Sequence, residues 1–445
     1  MSSCAETSNF AGNATPSGST TEPSAHCRSL IDRDKDVLWH PFSHHSLEPP
    51  RMAIRHGEGA WLVTEDGKQI LDAVSSWWVN LHGHGNRYIA EAIAEQATRL
   101  EHCIFAGFTH EPAVTLSELV LDVLPSNQKK IFFSDNGSTA VEVGIKMAIQ
   151  ADVLRSGGVL RRKTVVALEG GYHGDTFGAM SVSGRGSFTA PFFDYLFDVK
   201  HISVPTPENL PEVCEHFEAL CRDESVLAFI YEPLVQGAGG MNMYGAPELN
   251  QLLTIAKQHD VTLIADEVMT GFGRTGTLFA SAQMETSPDI MCLSKGITGG
   301  FLPLGATSCT EDIYQAFENR DRQTFFFHGH SYAGNPLACA AGIASMQLLR
   351  GSTCIQQLED IAQRHKEAVA SFQDALGLEH ARSLGTIFAV DLQTNEATNY
   401  QNPLRDRLYS FFLDRGLLIR PLGNVLYVMP PYCTTRAELA RCYDA

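Results

Sequence analysis

Five short apolar runs in the middle of the chain, each closing on polar or charged residues, restrict its fold more than any other feature. They are IFFS from Ile131, TVVAL from Thr164, VLAFIYEP, VTLIADEV with Asp266 at its inner end, and DIMCLSK closing on Lys295. Unbroken apolar runs of this length suit strands buried on both faces. The segments between them carry helical patterns, which predicts βαβ crossovers and a mostly parallel sheet in an α/β fold. Ligands of such sheets bind outside the carboxyl ends of the strands, so the residues that close each run are the candidates for a binding site.

The flanks differ. Ala60 to Val79 reads as short strands around the turn signal EDG, and Tyr88 to Leu100 as an amphipathic helix. From about Ala340 the chain reads as a helix, then the strands TIFAVDL and VLYVMPP, then a helix from Arg436. The expected organisation is a tail over 1–33, the start of a small α+β domain over 34–80, a large domain over 81–340, and the rest of the small domain over 341–445. The tail is rich in Ser, Thr, Ala and Gly and has too few large apolar groups to offset ordering entropy.

A net charge of −18 argues against nucleic acid or an anionic membrane as the main partner. No apolar stretch is long enough to span a bilayer, and the first thirty residues lack the apolar segment of a secretory signal. The 11 cysteines form no CxxC pair and no regular framework. Reduced thiols in the cytoplasm are the expectation.

Lys295 stands where an apolar strand meets the glycine-rich GITGGFLPLGA; a partly desolvated amine there has a lowered pKa and acts as a nucleophile. Taken alone, a strand-end lysine is more often a solvated surface group. Asp266 puts a carboxylate at the inner end of a strongly apolar strand, where an unpaired charge is costly. A cationic ring nitrogen would satisfy it; a helix cap or a structural ion pair would too. In DNGSTAVEVGIK, Gly137 permits close backbone approach and Ser138 offers a hydroxyl at a helix start, which suits a phosphate as well as an ordinary cap. Tyr172, on the loop EGGYHG, can stack on a flat ring or pack on the core. The pairs His82 with His84, His328 with His330, and His44 with His45 invite a metal reading, but no carboxylate or thiol set accompanies them, so no metal is expected.

The order of phosphate loop, aromatic loop, strand-end Asp and strand-end Lys resembles the class-III aminotransferases of the pyridoxal-phosphate fold type I. LIADEVMTGFGRTG followed by SKGITGGFLPLGA carries the likeness, which runs from about Asp34 to Cys433. The resemblance implies a large domain with a mostly parallel seven-stranded sheet, a smaller α+β domain, pyridoxal 5'-phosphate as cofactor, and a homodimer. VLWHPF, VSSWWVNLHGHGN, GYHGDTFGAMSVSG, EPLVQGAGGMNMY and IRPLGNVLYVMPPY resemble the branch that aminates 8-amino-7-oxononanoate to 7,8-diaminononanoate in biotin synthesis. Ornithine, GABA, β-alanine or polyamine transfer is the alternative.

By this likeness Lys295 holds the cofactor aldehyde as a Schiff base and shuttles a proton, Asp266 pairs the ring nitrogen, and Gly137 and Ser138 hold the phosphate. Tyr172 stacks on the ring and positions substrate. Gly329, His330 and Ser331 reach the phosphate or substrate of a neighbouring subunit. Trp77 and Trp78 wall the carbon chain of the substrate. Because adjacent strand residues point to opposite faces, one of the two is expected in the core. Arg420 is the carboxylate clamp, Asp175 and Arg274 are further substrate contacts, and Glu232 supports from behind. Phe42 stands where adenosylmethionine users of this branch carry tyrosine, and HGHSY replaces an HGPTF-like form. S-adenosylmethionine is the expected amino donor and lysine the alternative.

Overall fold

The structure, a computed structural model, describes residues 28–44, 52–318, 324–373, 375–395 and 402–445. Its contacts divide the chain into two units, Met1–Arg55 and His56–Ala445. In the first, Leu30–Val37 is a helix capped by Ser29, whose hydroxyl accepts from the Asp32 N–H at 3.1 Å. Regular backbone thus starts ahead of the expected Asp34, because the Ser29 cap satisfies an N–H that a helix start leaves open. The expected tail over 1–27, and His45 of the His44–His45 pair, lie outside the described residues.

The second unit is built on a seven-stranded sheet. Its strands are β1 (Gln128–Ser134), β2 (Thr164–Leu168), β3 (Val199–Ile202), β4 (Val226–Tyr231), β5 (Thr262–Asp266), β6 (Ile290–Leu293) and β7 (Gly305–Thr310), in the order β1-β7-β6-β5-β4-β2-β3. Only β7 runs antiparallel to its neighbours. Every residue of β4, β5 and β6 is buried, as their unbroken apolar runs require.

Two strands were not among the predicted runs. VKHI of β3 is short and alternates in polarity. GATSCT of β7 is small and polar, yet it is buried, because its hydroxyls find acceptors: Thr307 donates to the Ala140 carbonyl at 2.8 Å and Ser308 to Gln128 Oε1 at 2.7 Å.

Helix α1 (Gly137–Arg155) follows β1 and packs on the sheet. Gly144 sets its approach, since a Cβ there would lie 3.0 Å from Cys292 Sγ. A second sheet joins Trp61–Thr64 to Gln69–Asp72, and the latter pairs in parallel with Leu417–Leu418, so residues before Trp78 are tied to the C-terminal part. Leu378–Leu384, Ile387–Leu392 and Val425–Val428 form an antiparallel sheet that contains the two predicted strands. Among the described residues, no helix is long and apolar enough to cross a membrane.

Candidate active site

The carboxyl ends of β1, β2, β4, β5 and β6 open onto one cleft of about 690 Å3. β1 leads into Gly137 and Ser138, β2 into Tyr172 and Asp175, β4 into Glu232; β5 ends in Asp266, and β6 leads into Lys295. All seven residues line the cleft, together with Trp78. The parallel sheet thus gathers chemistry spread along the chain from Gly137 to Lys295.

Asp266 is 4% exposed. Its Oδ2 lies 2.7 Å from Nδ1 of the equally buried His173, and its Oδ1 accepts the Val268 N–H at 3.1 Å. An ionised carboxylate only accepts, so His173 donates through Nδ1. His173 is itself held by its backbone N–H, which donates to Ser183 Oγ at 2.9 Å. The partner of Asp266 was not identified from sequence, although EGGYHG contains it.

α1 also presents its N-terminus to the cleft. Asn136 caps it in a reciprocal capping box with Thr139. Gly137 is needed for contact rather than for turning: a Cβ there would sit 2.6 Å from Val268 Cγ1, on the loop that follows Asp266. Ser138 Oγ accepts the Thr176 N–H at 3.0 Å and bonds the Thr176 hydroxyl at 2.8 Å. Helix N–H groups and two hydroxyls form a cradle suited to an anion.

Lys295 is half-buried, and its φ of 44° places a non-glycine residue in the left-handed region. Burial pulls its amine down to about 8; Asp266 and Glu232 oppose that shift, and Arg274 adds to it. Nζ lies 4.4 Å from the centre of the Trp78 ring. Glu232 accepts the N–H groups of Tyr172 and Gly237, each at 2.9 Å, and burial raises its carboxyl to about 7. Tyr172 is pushed up by burial and then by Asp175, which also bonds its hydroxyl.

The two tryptophans do not sit on a strand. Ser75, Ser76, Trp77 and Trp78 form a single left-handed turn with φ values of 51°, 48°, 79° and 76°. Left-handed backbone costs L-residues about 1–2 kcal/mol each, so neighbouring groups must hold the turn. Trp78 is buried and donates through Nε1 to the Tyr427 hydroxyl at 3.0 Å. Trp77 is half-buried beneath Arg420, whose Cζ lies 4.4 Å from its ring centre. One indole is in the core, as expected, since Trp78 is buried there; the left-handed turn and not strand alternation separates the two, and each meets a different cation.

Arg274 is not a wall of the cleft. It is 1% exposed and donates to the carbonyls of Pro430 at 2.9 Å, Asn80 at 3.2 Å and Trp78 at 3.4 Å. It thereby supports the backbone at Trp78, Asn80 and Pro430.

Trp77 and Arg420 lie beside the cleft rather than on its wall. Gly329, His330 and Ser331 are also away from it, on a segment where Phe325, Phe327 and Tyr332 are exposed. Phe42 belongs to the first unit, is 40% exposed and has a φ of 51°. His82 bonds Ser345, His84 bonds Asp72, and His328 bonds Lys146. Among the described residues, no group of three or more His, Cys, Asp or Glu is placed to hold a metal ion.

A buried carboxylate, a half-buried amine of lowered basicity and an anion cradle in one cleft are the donor set that suits pyridoxal phosphate, which carries a ring nitrogen, an aldehyde and a phosphate. The comparisons with known proteins agree. The profile of the family described as aminotransferase class-III matches residues 42–445. Adenosylmethionine-8-amino-7-oxononanoate aminotransferase of Synechococcus elongatus is 47% identical over 421 residues, covering 92% of this chain and 97% of the relative. The protein of that name from Geobacter sulfurreducens is 37% identical and covers 94% and 96%. Among solved structures, the enzyme of that name from Methanocaldococcus jannaschii superposes with a TM-score of 0.88 at 34% identity, covering 93% of this chain and 97% of that one. A pyridoxal-phosphate-bound amine transaminase from an uncultivated Pseudomonas species gives 0.85 at 29% identity, covering 92% and 97%. The chain belongs to the class-III aminotransferases and is a pyridoxal-phosphate-dependent transaminase.

Proposed function

We propose that this transaminase converts 8-amino-7-oxononanoate to 7,8-diaminononanoate in biotin synthesis. The observation that carries the reading is the placement of Trp78 over the Lys295 amine and Trp77 under the Arg420 guanidinium. Two adjacent indoles, one against an amine in the cleft and the next against a guanidinium beside it, suit a long carbon chain with a carbonyl near one end and a carboxylate at the other. The names of the relatives above support the same substrate.

When bound, the cofactor supplies an aldehyde that takes up the donor amine and a ring that withdraws electrons from the adjacent carbon. Ser138, Gly137 and the start of α1 hold its phosphate, and Asp266, oriented by His173, keeps the ring nitrogen positive. Lys295 carries the proton between substrate carbon and cofactor; with its pKa near 8, it releases and regains that proton near neutral pH. Tyr172 packs on the ring, with Asp175 fixing its hydroxyl and Glu232 its backbone. Arg420 takes the carboxylate through a bidentate fork.

The same reading makes the active unit a homodimer, in which Gly329, His330 and Ser331 serve the neighbouring site. The exposed Phe325, Phe327 and Tyr332 beside them support this, as does His330 Nε2, a buried ring nitrogen with no hydrogen-bond partner among the described residues. Division near residues 80 and 340 into large and small domains belongs to the reading as well. A cytoplasmic location is supported by the described cysteines, all of which are free thiols.

S-adenosylmethionine is the proposed donor and lysine the competitor, because Phe42 lacks a tyrosine hydroxyl. Single-turnover absorbance tests this: the protein is mixed with S-adenosylmethionine, then separately with lysine, and conversion of the cofactor to its amine form is followed. Formation of 7,8-diaminononanoate from the keto acid is the expected result. Turnover with ornithine, GABA or β-alanine and none with 8-amino-7-oxononanoate would sink the substrate reading.

A further inference from the structure

The left-handed turn Ser75–Trp78 is the only run of consecutive non-glycine residues with positive φ among the described residues. Such residues normally occur singly, because Cβ crowds the following carbonyl, and a run persists only where its surroundings over-determine it. Asp72 holds the start of the turn. Its side chain is fully buried; Oδ1 accepts the Val74 N–H at 3.1 Å and Oδ2 the Ser76 hydroxyl at 2.8 Å. Arg274 holds the end through the Trp78 and Asn80 carbonyls, and the Ser75 hydroxyl donates to the Met429 carbonyl at 2.8 Å.

His84 completes the hold. Its Nε2 lies 2.8 Å from Asp72 Oδ2, and its Nδ1 lies 3.1 Å from Asn80 Nδ2. Asn80 Oδ1 accepts the Gly83 N–H at 2.8 Å, which fixes the amide so that its NH2 faces His84. His84 Nδ1 is then an acceptor, and Nε2–H donates to Asp72. Both ring nitrogens are occupied, which leaves none for a metal. Gly57 makes room for this histidine: a Cβ there would lie 2.6 Å from His84 Cβ.

Neither Asp72 nor His84 lines the cleft. We infer that Asp72, oriented by His84, is a positioning residue for substrate selection: it locks the left-handed turn that aims Trp78 at Lys295 and Trp77 at Arg420. This rests on the reading that the two indoles flank the carbon chain of the acceptor.

The test uses Asp72→Asn, which keeps size but exchanges one acceptor for a donor. In cofactor-free protein, acrylamide quenching of tryptophan fluorescence rises. In the holoenzyme, KM for 8-amino-7-oxononanoate rises roughly ten-fold with kcat within about three-fold. Ser76 is solvent-exposed, so Ser76→Val disturbs no core, yet a β-branched residue resists a φ of 48°. It shifts both readouts the same way and decides the matter should Asp72→Asn fail to fold. Adding Ser76→Gly to Asp72→Asn recovers part of the KM loss, since glycine takes this backbone freely; a loosened core would give no such rescue. Unchanged quenching in both single variants overturns the inference, and so does altered quenching with an unchanged KM. A parent enzyme that ignores the keto acid defeats the substrate reading instead, and the quenching arm still judges the turn.

Discussion

The amine of Lys295 sits 4.4 Å from the centre of the Trp78 indole. An aromatic face attracts the ammonium form, whereas burial disfavours it, and burial dominates, since the pKa falls to about 8. The neutral, nucleophilic form is therefore reached well below the pH at which an ordinary lysine loses its proton.

The rate at which cofactor-free protein captures pyridoxal phosphate covalently should rise about ten-fold per pH unit below 8 and level off above it. Borohydride reduction followed by mass measurement reads the capture. Lys295→Ala gains no cofactor mass but still binds the cofactor noncovalently. Undiminished turnover by that variant would remove the basis of the scheme.

Asp266→Asn keeps the shape of the strand end and loses the charge beside a ring nitrogen. Turnover at saturating cofactor should fall about 10²- to 10³-fold, the loss typical of an electrostatic partner in a dry site. His173→Gln, which retains a donor, should lose less. Steady-state kinetics of the two variants decide this, and an Asn variant within a few-fold of the parent would refute the assigned role.

Gly137→Ala places a methyl group 2.6 Å from Val268 Cγ1 and must push the helix start away from the loop after Asp266. Cofactor affinity, measured by titrating the cofactor-free protein, should fall at least about ten-fold, with a lower Tm. Val268→Ala in the same chain should recover part of it. Full affinity in the single variant would show that the cradle tolerates the shift.

Glu232 has a folded-state pKa raised from 4.5 to about 7 by burial. The native state therefore holds the proton more tightly than the unfolded chain between those values. The stability it contributes is complete below pH 4.5 and is lost as pH rises through 7. Urea denaturation of the parent should show this decline between pH 5 and 7, and Glu232→Gln, which has no proton to lose, should flatten it. Equal slopes in the two proteins would remove Glu232 as the source.

Much of the site could be read from the residues alone. Asp266 and Lys295 close apolar runs, and a parallel sheet brings the carboxyl ends of its strands together whatever the loops do. Gly137, Ser138 and Tyr172 follow strands of the same sheet, so they reach the same cleft. β7 escaped notice because buried small polar residues resemble a loop until their acceptors are known.

The α/β sheet and the positions that face its carboxyl edge are legible in the residues, because burial on both faces leaves an unbroken apolar signature in the chain. That SSWW turns left-handed, that Arg274 bonds backbone carbonyls and that His173 holds Asp266 follow from contacts made on folding. Ser and Trp carry no local preference for positive φ. Of the groups that impose it, Asp72 and His84 flank the turn in the chain, whereas Arg274 and Met429 reach it only through folding. Local propensity is written residue by residue, whereas a strained turn is held by side-chain and backbone partners that only the folded chain sets in place.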